Sequence, residues 1–293
     1  MKSRLNYFYN KEEMLDKKNK LLIDNPYYMV NEYIKGFNMD NLNKNYLTNL
    51  GDLNICKKNN KRYLCFYDNN TNTLYSNSYM GDVLGLFHVS SNDREKNGYG
   101  VVDSKDNGIG LNNGITSLFT NIVTNEKLLY PIESLSAETL LLINDKILPY
   151  AYFNNDKDTL KIYHENIPVV NRLLDKINKD FKMLSTCYRL TVPLELRSSN
   201  YIFRDKYKSK LNEIDEEAYH LYRELMTTIR ALLNNLIIIV LESNIESSRK
   251  KEILSIINED LNTIIESSKV IDLTKFNNYI NDFSSKRKVL CKK

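Results

Sequence analysis

The fold is decided by YMGDVLGLFHVSSNDREKNGYGVVDSKDNGIGLNNGITSLFT, residues 79–120. Seven of the chain's nine glycines lie in it, together with one of its three histidines, His88. Glycine adopts backbone conformations that other residues avoid, so their concentration here predicts unusual backbone or close approach of neighbouring elements. Apolar residues and His88 recur at three- and four-residue spacing over Met80–Ser90, which predicts a helix containing Gly85.

A long loop follows this helix, and loops of about two dozen residues inside a domain are usually functional or derived from function. Within it, Tyr99–Val102 is compatible with a short strand. The segment Gly110–Thr120 then predicts entry into a second helix, with Ile115, Leu118 and Phe119 on one face. The pattern is therefore a helix, a long loop and a second helix.

Upstream of this pattern, residues 53–78 are rich in β-forming side chains. The runs LNICKK, KRYLCFYD and TLYSNS, with the turn sequence DNNTN before the last, predict a small antiparallel sheet. Residues 3–48 predict short helices, one over Lys11–Leu22 and one that begins at Asn25-Pro26, where asparagine caps the helix and proline takes its first position. We expect this helical pair to cover the sheet.

Downstream of Pro131 the pattern is almost wholly helical. A long helix over Ile214–Ser243 and a second over Glu252–Ser267 predict an antiparallel helical hairpin of coiled-coil type, residues 214–267. A last short helix is predicted around residues 276–283. The fold class is therefore α+β, a small antiparallel sheet with packed helices followed by a mostly α-helical C-terminal part. We place the domains at 1–155 and 156–293.

Two motifs of the central stretch have the order of a zinc peptidase site. Leu84-Gly85-Leu86-Phe87-His88 stands in the place of an HExxH motif, and GLNNGIT, residues 110–116, stands in the place of GLNEGxT. With the turn before the first helix and Tyr130-Pro131 after the second, this layout resembles the gluzincin metallopeptidases over residues 50–135. The resemblance implies a zincin-like domain, in which two histidines and a glutamate hold zinc and a second glutamate is the base.

This chain departs from that pattern at the residues that carry the chemistry. Leu84 replaces the first histidine, Gly85 replaces the glutamate base, and Asn113 replaces the third ligand, so only His88 is left. One imidazole and one amide cannot fill a tetrahedral zinc site. We therefore expect no catalytic residues, no zinc or other cofactor, and an inactive relative that keeps a binding cleft for a binding or regulatory role. A reorganised active hydrolase and a coincidental match, with His88 an ordinary residue, stay open.

Other candidate sites are weaker. The glycine run at residues 108–114 lacks the lysine of a phosphate-binding loop. His220, with Glu216 and Glu224 on the same helical face, is more typical of a solvated surface than of a metal site. The basic runs Lys206–Lys210 and Lys286–Lys288 are short, and the net charge is only +4, so we expect no nucleic-acid partner.

Partners and compartment follow from similar arguments. The start has no apolar core for a secretory signal, and the most apolar window, Leu232–Leu241, is about half of the ~20 residues needed to cross a bilayer, so we expect no membrane partner. Four cysteines without CxxC spacing favour reduced thiols in the cytoplasm. We expect a protein or peptide partner, which the sheet edge at residues 62–77 would bind by strand addition. The alternative is a helical assembly protein, a homo-oligomer formed through the 214–267 hairpin.

Overall fold

The computed structural model describes residues 25–37, 48–57, 65–76, 78–93, 98–103, 105, 107–126, 128–198 and 204–267. The chain divides into two compact units between Ile167 and Pro168. The first unit is mixed α and β, and the second is helical, as the α+β prediction requires. The sequence placed a domain boundary after residue 155, whereas the helix over Lys157–Tyr163 lies with the first unit. The helices predicted over Lys11–Leu22 and 276–283 lie outside the described residues.

The first unit contains a three-stranded sheet in the order β1-β3-β2, built from β1 (Asn54–Lys57), β2 (Cys65–Asp68) and β3 (Thr73–Ser76). The predicted hairpin is confirmed, because β2 pairs antiparallel with β3. The prediction of a wholly antiparallel sheet was wrong, because β1 pairs parallel with β3. The chain reverses direction between β1 and β2 and again between β2 and β3, so β1 and β3 run in the same direction. β3 lies between the other two strands and therefore pairs with both.

Among the described residues, the first unit has six helices of seven residues or more, and the one over Tyr79–Ser90 packs on the sheet. Three of the six begin at side-chain caps, and at the last of these Asp156 accepts a hydrogen bond from the Thr159 N–H at 3.2 Å. Asn25 accepts a hydrogen bond from the Tyr27 N–H at 2.9 Å, and Ser78 accepts one from the Gly81 N–H at 3.1 Å. The helix predicted over Met80–Ser90 is confirmed with one more residue at its start. The helices are α1 (Pro26–Lys35), α2 (Tyr79–Ser90), α3 (Ile109–Thr124), α4 (Pro131–Ile143), α5 (Ile147–Phe153) and α6 (Lys157–Tyr163).

The long loop between α2 and α3 contains a second, two-stranded sheet. Its strands β4 (Asn92–Asp93) and β5 (Gly98–Tyr99) pair antiparallel, so the short strand expected in this loop is present but begins and ends earlier than predicted. The loop ends at Gly108, whose φ of 95° is left-handed and suits glycine. A Cβ at Gly108 would lie 2.5 Å from the Val101 carbonyl oxygen, so α3 starts tightly against the loop.

An aromatic cluster forms the core where α1, α2, α3 and α5 meet. Phe119 of α3 is its centre, with ring centroids 5.2 Å from Tyr33, 5.6 Å from Phe87 and 5.8 Å from Phe153. Aromatic pairs at these separations stabilise a core beyond the area they bury. The helix pair of the central stretch is therefore held together by α1 and α5.

Within the described residues, the second unit contains α7 (Ile167–Ser198), α8 (Arg204–Glu242) and α9 (Ser247–Ser267). The two helices of the predicted 214–267 hairpin are present as α8 and α9, which pack together through buried residues such as Leu236 and Ile253. By length and composition, Asn212–Glu242 of α8 is long enough to cross a membrane, although half of its apolar window is buried in the protein. Core helices of water-exposed domains share these properties.

Candidate functional site

Of the two positions where the resemblance expects a histidine and a glutamate, the glutamate position packs α2 on the sheet and the histidine position is a buried leucine. Leu84 is 7% exposed, and Gly85 is buried. A Cβ at Gly85 would lie 2.2 Å from the Leu74 Cδ1 atom of β3. Glycine therefore lets the central strand approach the helix, and a glutamate side chain has no room there while Leu74 keeps its position.

His88 lies near the end of α2 and is partly exposed. It meets the Tyr99 ring of β5 edge to face, with centroids 6.2 Å apart. Burial lowers the pKa of the His88 imidazole to about 4, because an apolar environment disfavours its charged form. The ring is therefore neutral at pH 7 and joins the helix to the loop sheet.

The two asparagines of the GLNNG sequence lie in different environments. Asn113, the predicted ligand position, is partly exposed, whereas Asn112 is fully buried. The Asn112 Oδ1 accepts a hydrogen bond from the Val101 N–H at 3.3 Å and would lie 1.9 Å from a Cβ at Gly100. The sequence interpretation missed Asn112, although its spacing from Thr116 and Phe119 places all three on one helical face.

A buried group of uncharged polar side chains adjoins Asn112. The Thr116 Oγ1 and the Tyr152 OH lie 2.9 Å apart, and Ser91 also hydrogen-bonds to Tyr152. Burial raises the pKa of the Tyr152 phenol, and its hydrogen bonds only partly oppose this effect. The Asn112 Nδ2 is buried without a partner within the described residues. These groups join α2, α3 and α5, and none of them carries a charge at neutral pH.

Glu133 of α4 is the second feature that the sequence did not indicate. It is 6% exposed, and burial raises the pKa of its carboxyl group to about 7. Its main chain lies against α3 at Gly114, where a Cβ would be 2.2 Å from the Glu133 carbonyl oxygen. The Ser134 Oγ donates to the Gly114 carbonyl oxygen at 3.3 Å across the same contact. Gly114 therefore permits a close crossing of α3 and α4.

These side chains do not form a recognisable catalytic centre. In the part of the chain that the structure describes, no three histidine, cysteine, aspartate or glutamate side chains are grouped to hold a metal ion. Burial and nearby Asp82 raise the pKa of the Cys65 thiol to about 12, which opposes formation of a nucleophilic thiolate. Both His220 and Glu216 are exposed on α8, as expected for a solvated helix face.

An aromatic pair with one exposed and one partly exposed ring lies on the sheet face opposite α2. The register places Cys56, Tyr75 and Phe66 in one row across β1, β3 and β2, whereas Leu74 points to the helix. Phe66 is 55% exposed, and its ring lies 6.0 Å from the Tyr75 ring. We call Phe66 and Tyr75 the outer aromatic pair.

The helical unit carries two charged rows. The basic column is Arg172, Lys176 and Lys179 of α7, and the acidic column is Glu213, Glu217 and Glu224 of α8; all six residues are exposed. Their spacing of three, four or seven residues keeps each column on one side of its helix. The Lys176 Nζ lies 3.3 Å from the Glu224 Oε2, and both side chains are about half exposed, so the two columns share one solvent-facing side.

Comparison of the chain with protein-family models, with curated proteins and with solved structures finds no match. The resemblance to gluzincins therefore depends on the quoted motifs alone, and a zincin-like fold stays a prediction.

Proposed function

We propose that this chain is a non-catalytic, cytoplasmic binding protein, a relative of the gluzincin metallopeptidases in which the first two zinc-site positions, Leu84 and Gly85, are buried. Its partner is an extended segment of another protein, and the binding surface is the sheet at β2. The observation that carries the proposal is the outer aromatic pair, with Phe66 55% exposed on a strand at the end of the described sheet.

The location of Phe66 favours a peptide over a small molecule. An apolar side chain on an edge strand promotes pairing with other chains, and natural proteins commonly protect such strands with charge or cover them. An added strand would hydrogen-bond to the edge of β2 and place alternate side chains over Phe66 and Tyr75. The Phe87 and Phe119 rings lie in contact where α2 meets α3, with centroids 5.6 Å apart, so the proposal places binding on the sheet and not between these helices.

The test is a selection of displayed random peptides on the wild-type protein, followed by affinity measurements with Phe66→Ser and Ile162→Ser. Ile162 is a matched control, because it is an apolar side chain of α6 that is 86% exposed. We expect Phe66→Ser to weaken binding about tenfold or more, Ile162→Ser to leave it unchanged, and bound peptide to slow amide exchange in Cys65–Asp68. Equal binding by both variants, or no selected peptide, would refute the sheet site.

A second candidate is assembly of two copies through the helical unit. The basic and acidic columns favour it, because a surface with both signs of charge in separate rows is complementary to itself. Sedimentation of the full chain at several concentrations tests for assembly, and a mass of one chain throughout would exclude it.

A further inference from the structure

We infer that two copies of this chain pair through the charged side of the helical unit, about a two-fold axis parallel to α7 and α8, so that the turn from Lys176 to Lys179 in each copy faces the segment from Glu224 to Glu217 in the other. The inference rests on the assembly role proposed for the helical unit and specifies its geometry. The sheet site of the first unit is independent of it.

The two columns lie beside each other on one surface. The contact between Lys176 and Glu224 crosses from α7 to α8, and the side chains of these residues are 44% and 47% exposed. Arg172 lies one turn before Lys176, and Lys179 lies one turn after it. Glu217 and Glu213 continue the acidic column along α8 in the opposite chain direction. Lys176 also lies 2.8 Å from the Asp180 Oδ2 of its own helix, but Asp180 is only 6% exposed, so the exposed charges of the two columns are positive along α7 and negative along α8.

Symmetry selects one way to pair two such surfaces. Rotation by a half-turn about an axis parallel to the helices exchanges left and right but keeps each residue at its level along the helix. The partner's α7 then lies over α8, and Lys176 of each copy faces the level of Glu224 in the other. A two-fold axis perpendicular to the helices would instead place α7 of one copy on α7 of the other. Like charges would then face each other, and their repulsion disfavours that arrangement.

A second copy fits this surface better than an anionic or cationic polymer does. A nucleic acid would gain contacts with the basic column but would meet Glu213, Glu217 and Glu224 beside it. A uniformly basic partner would be attracted by the acidic column but repelled by the basic column beside it. The columns are exposed and contain few apolar side chains, so the dimer is expected to be weak and sensitive to salt.

The experiment is analytical ultracentrifugation of the full chain at about 0.1 M and about 1 M ionic strength, where the screening length is about 10 Å and 3 Å. We expect a monomer–dimer equilibrium at the lower ionic strength and a monomer at the higher. Lys179→Glu should raise the dissociation constant about tenfold, because symmetry repeats each lost and repelling contact twice. Lys251→Glu, an equal charge change at an exposed site of α9, should leave it unchanged.

Mixing two charge-reversed variants tests the pairing itself. Arg172→Glu with Lys179→Glu makes both columns acidic, and Glu213→Lys with Glu217→Lys makes both largely basic, while the Lys176–Glu224 contact within the chain is kept. Each variant alone should be a monomer with the wild-type circular dichroism spectrum, and their mixture should form a heterodimer. If the protein dimerises equally at both ionic strengths and in both double variants, the proposed pairing geometry is wrong, although assembly itself is supported. A wild-type monomer at both ionic strengths would overturn both.

Discussion

Replacing Gly114 by alanine tests the close crossing of α3 and α4. The added Cβ would lie 2.2 Å from the Glu133 carbonyl oxygen and 2.4 Å from its carbonyl carbon. Both are main-chain atoms, so the clash is relieved only if the helices separate. Separation also lengthens the hydrogen bond from the Ser134 Oγ to the Gly114 carbonyl oxygen, which is 3.3 Å long.

The expected loss of stability is the balance of three effects. Alanine in a helix interior is favoured over glycine by about 1 kcal/mol. Overpacking of a filled core costs about 1–3 kcal/mol, and contact with main chain places this site at the upper end of that range. Loss of the buried hydrogen bond costs about 1 kcal/mol more. The free energy of unfolding should therefore fall by about 3 kcal/mol, and Tm by roughly 6–12 °C for a unit of this size.

Thermal unfolding followed by circular dichroism measures this change, and hydrogen exchange of α3 and α4 locates it in the first unit. Gly51→Ala is the matched control, because a Cβ at Gly51 meets no atom within 4 Å. We expect that variant to be as stable as the wild type or slightly more stable. If Gly114→Ala is as stable as Gly51→Ala, α3 and α4 do not cross at the proposed distance.

Three further predictions concern the core and the candidate site. The pKa of His88 is about 4 in the folded protein and 6.5 ordinarily, so between these pH values the unfolded chain binds more protons and stability rises with pH. The pKa of Glu133 is about 7 in the folded protein and 4.5 ordinarily, so the folded chain binds more protons between these values and stability falls with pH. Urea unfolding across this pH range measures the two effects separately. In His88→Gln only the Glu133 effect remains, so stability should fall as pH rises, and in Glu133→Gln only the His88 effect remains, so stability should rise. Parallel curves for the two variants would contradict these pKa shifts. Phe119→Ala should cost about 3–5 kcal/mol, whereas Tyr150→Ala at an exposed site should cost less than about 0.5 kcal/mol in the same assay. Elemental analysis of the purified protein should find no stoichiometric zinc, and a chelator should leave Tm unchanged; one zinc per chain would instead revive the hydrolase hypothesis.

Local signals explain why several elements could be predicted. Asn25-Pro26 marks the start of α1, apolar spacing marks α2, and the DNNTN turn joins β2 to β3. The helical pattern after Pro131 continues to Ile147, but α4 ends at Ile143. The Asn144 Oδ1 accepts from the N–H groups of Lys146 and Ile147, so this asparagine ends one helix and starts the next.

The remaining features depend on contacts between distant residues. The parallel pairing of β1 follows from which strand is central, and Leu74, 1% exposed, shows that β3 is the buried one. The function of Gly85 is clear only when Leu74 lies against it, and the burial of Glu133 requires α3 to cross α4 at Gly114. Sequence periodicity describes one element at a time, so it cannot supply these pairings.

The strand order β1-β3-β2 also has a consequence for how the sheet assembles. A hairpin such as β2–β3 forms within microseconds because its contacts are local. In the described sheet β1 pairs with β3 and not with its neighbour in the chain, so a larger loop must close before its hydrogen bonds form. During synthesis β1 leaves the ribosome first but has no strand to join until β3 has emerged. We therefore expect β1, the first strand of the described sheet in chain order, to be the last to join it.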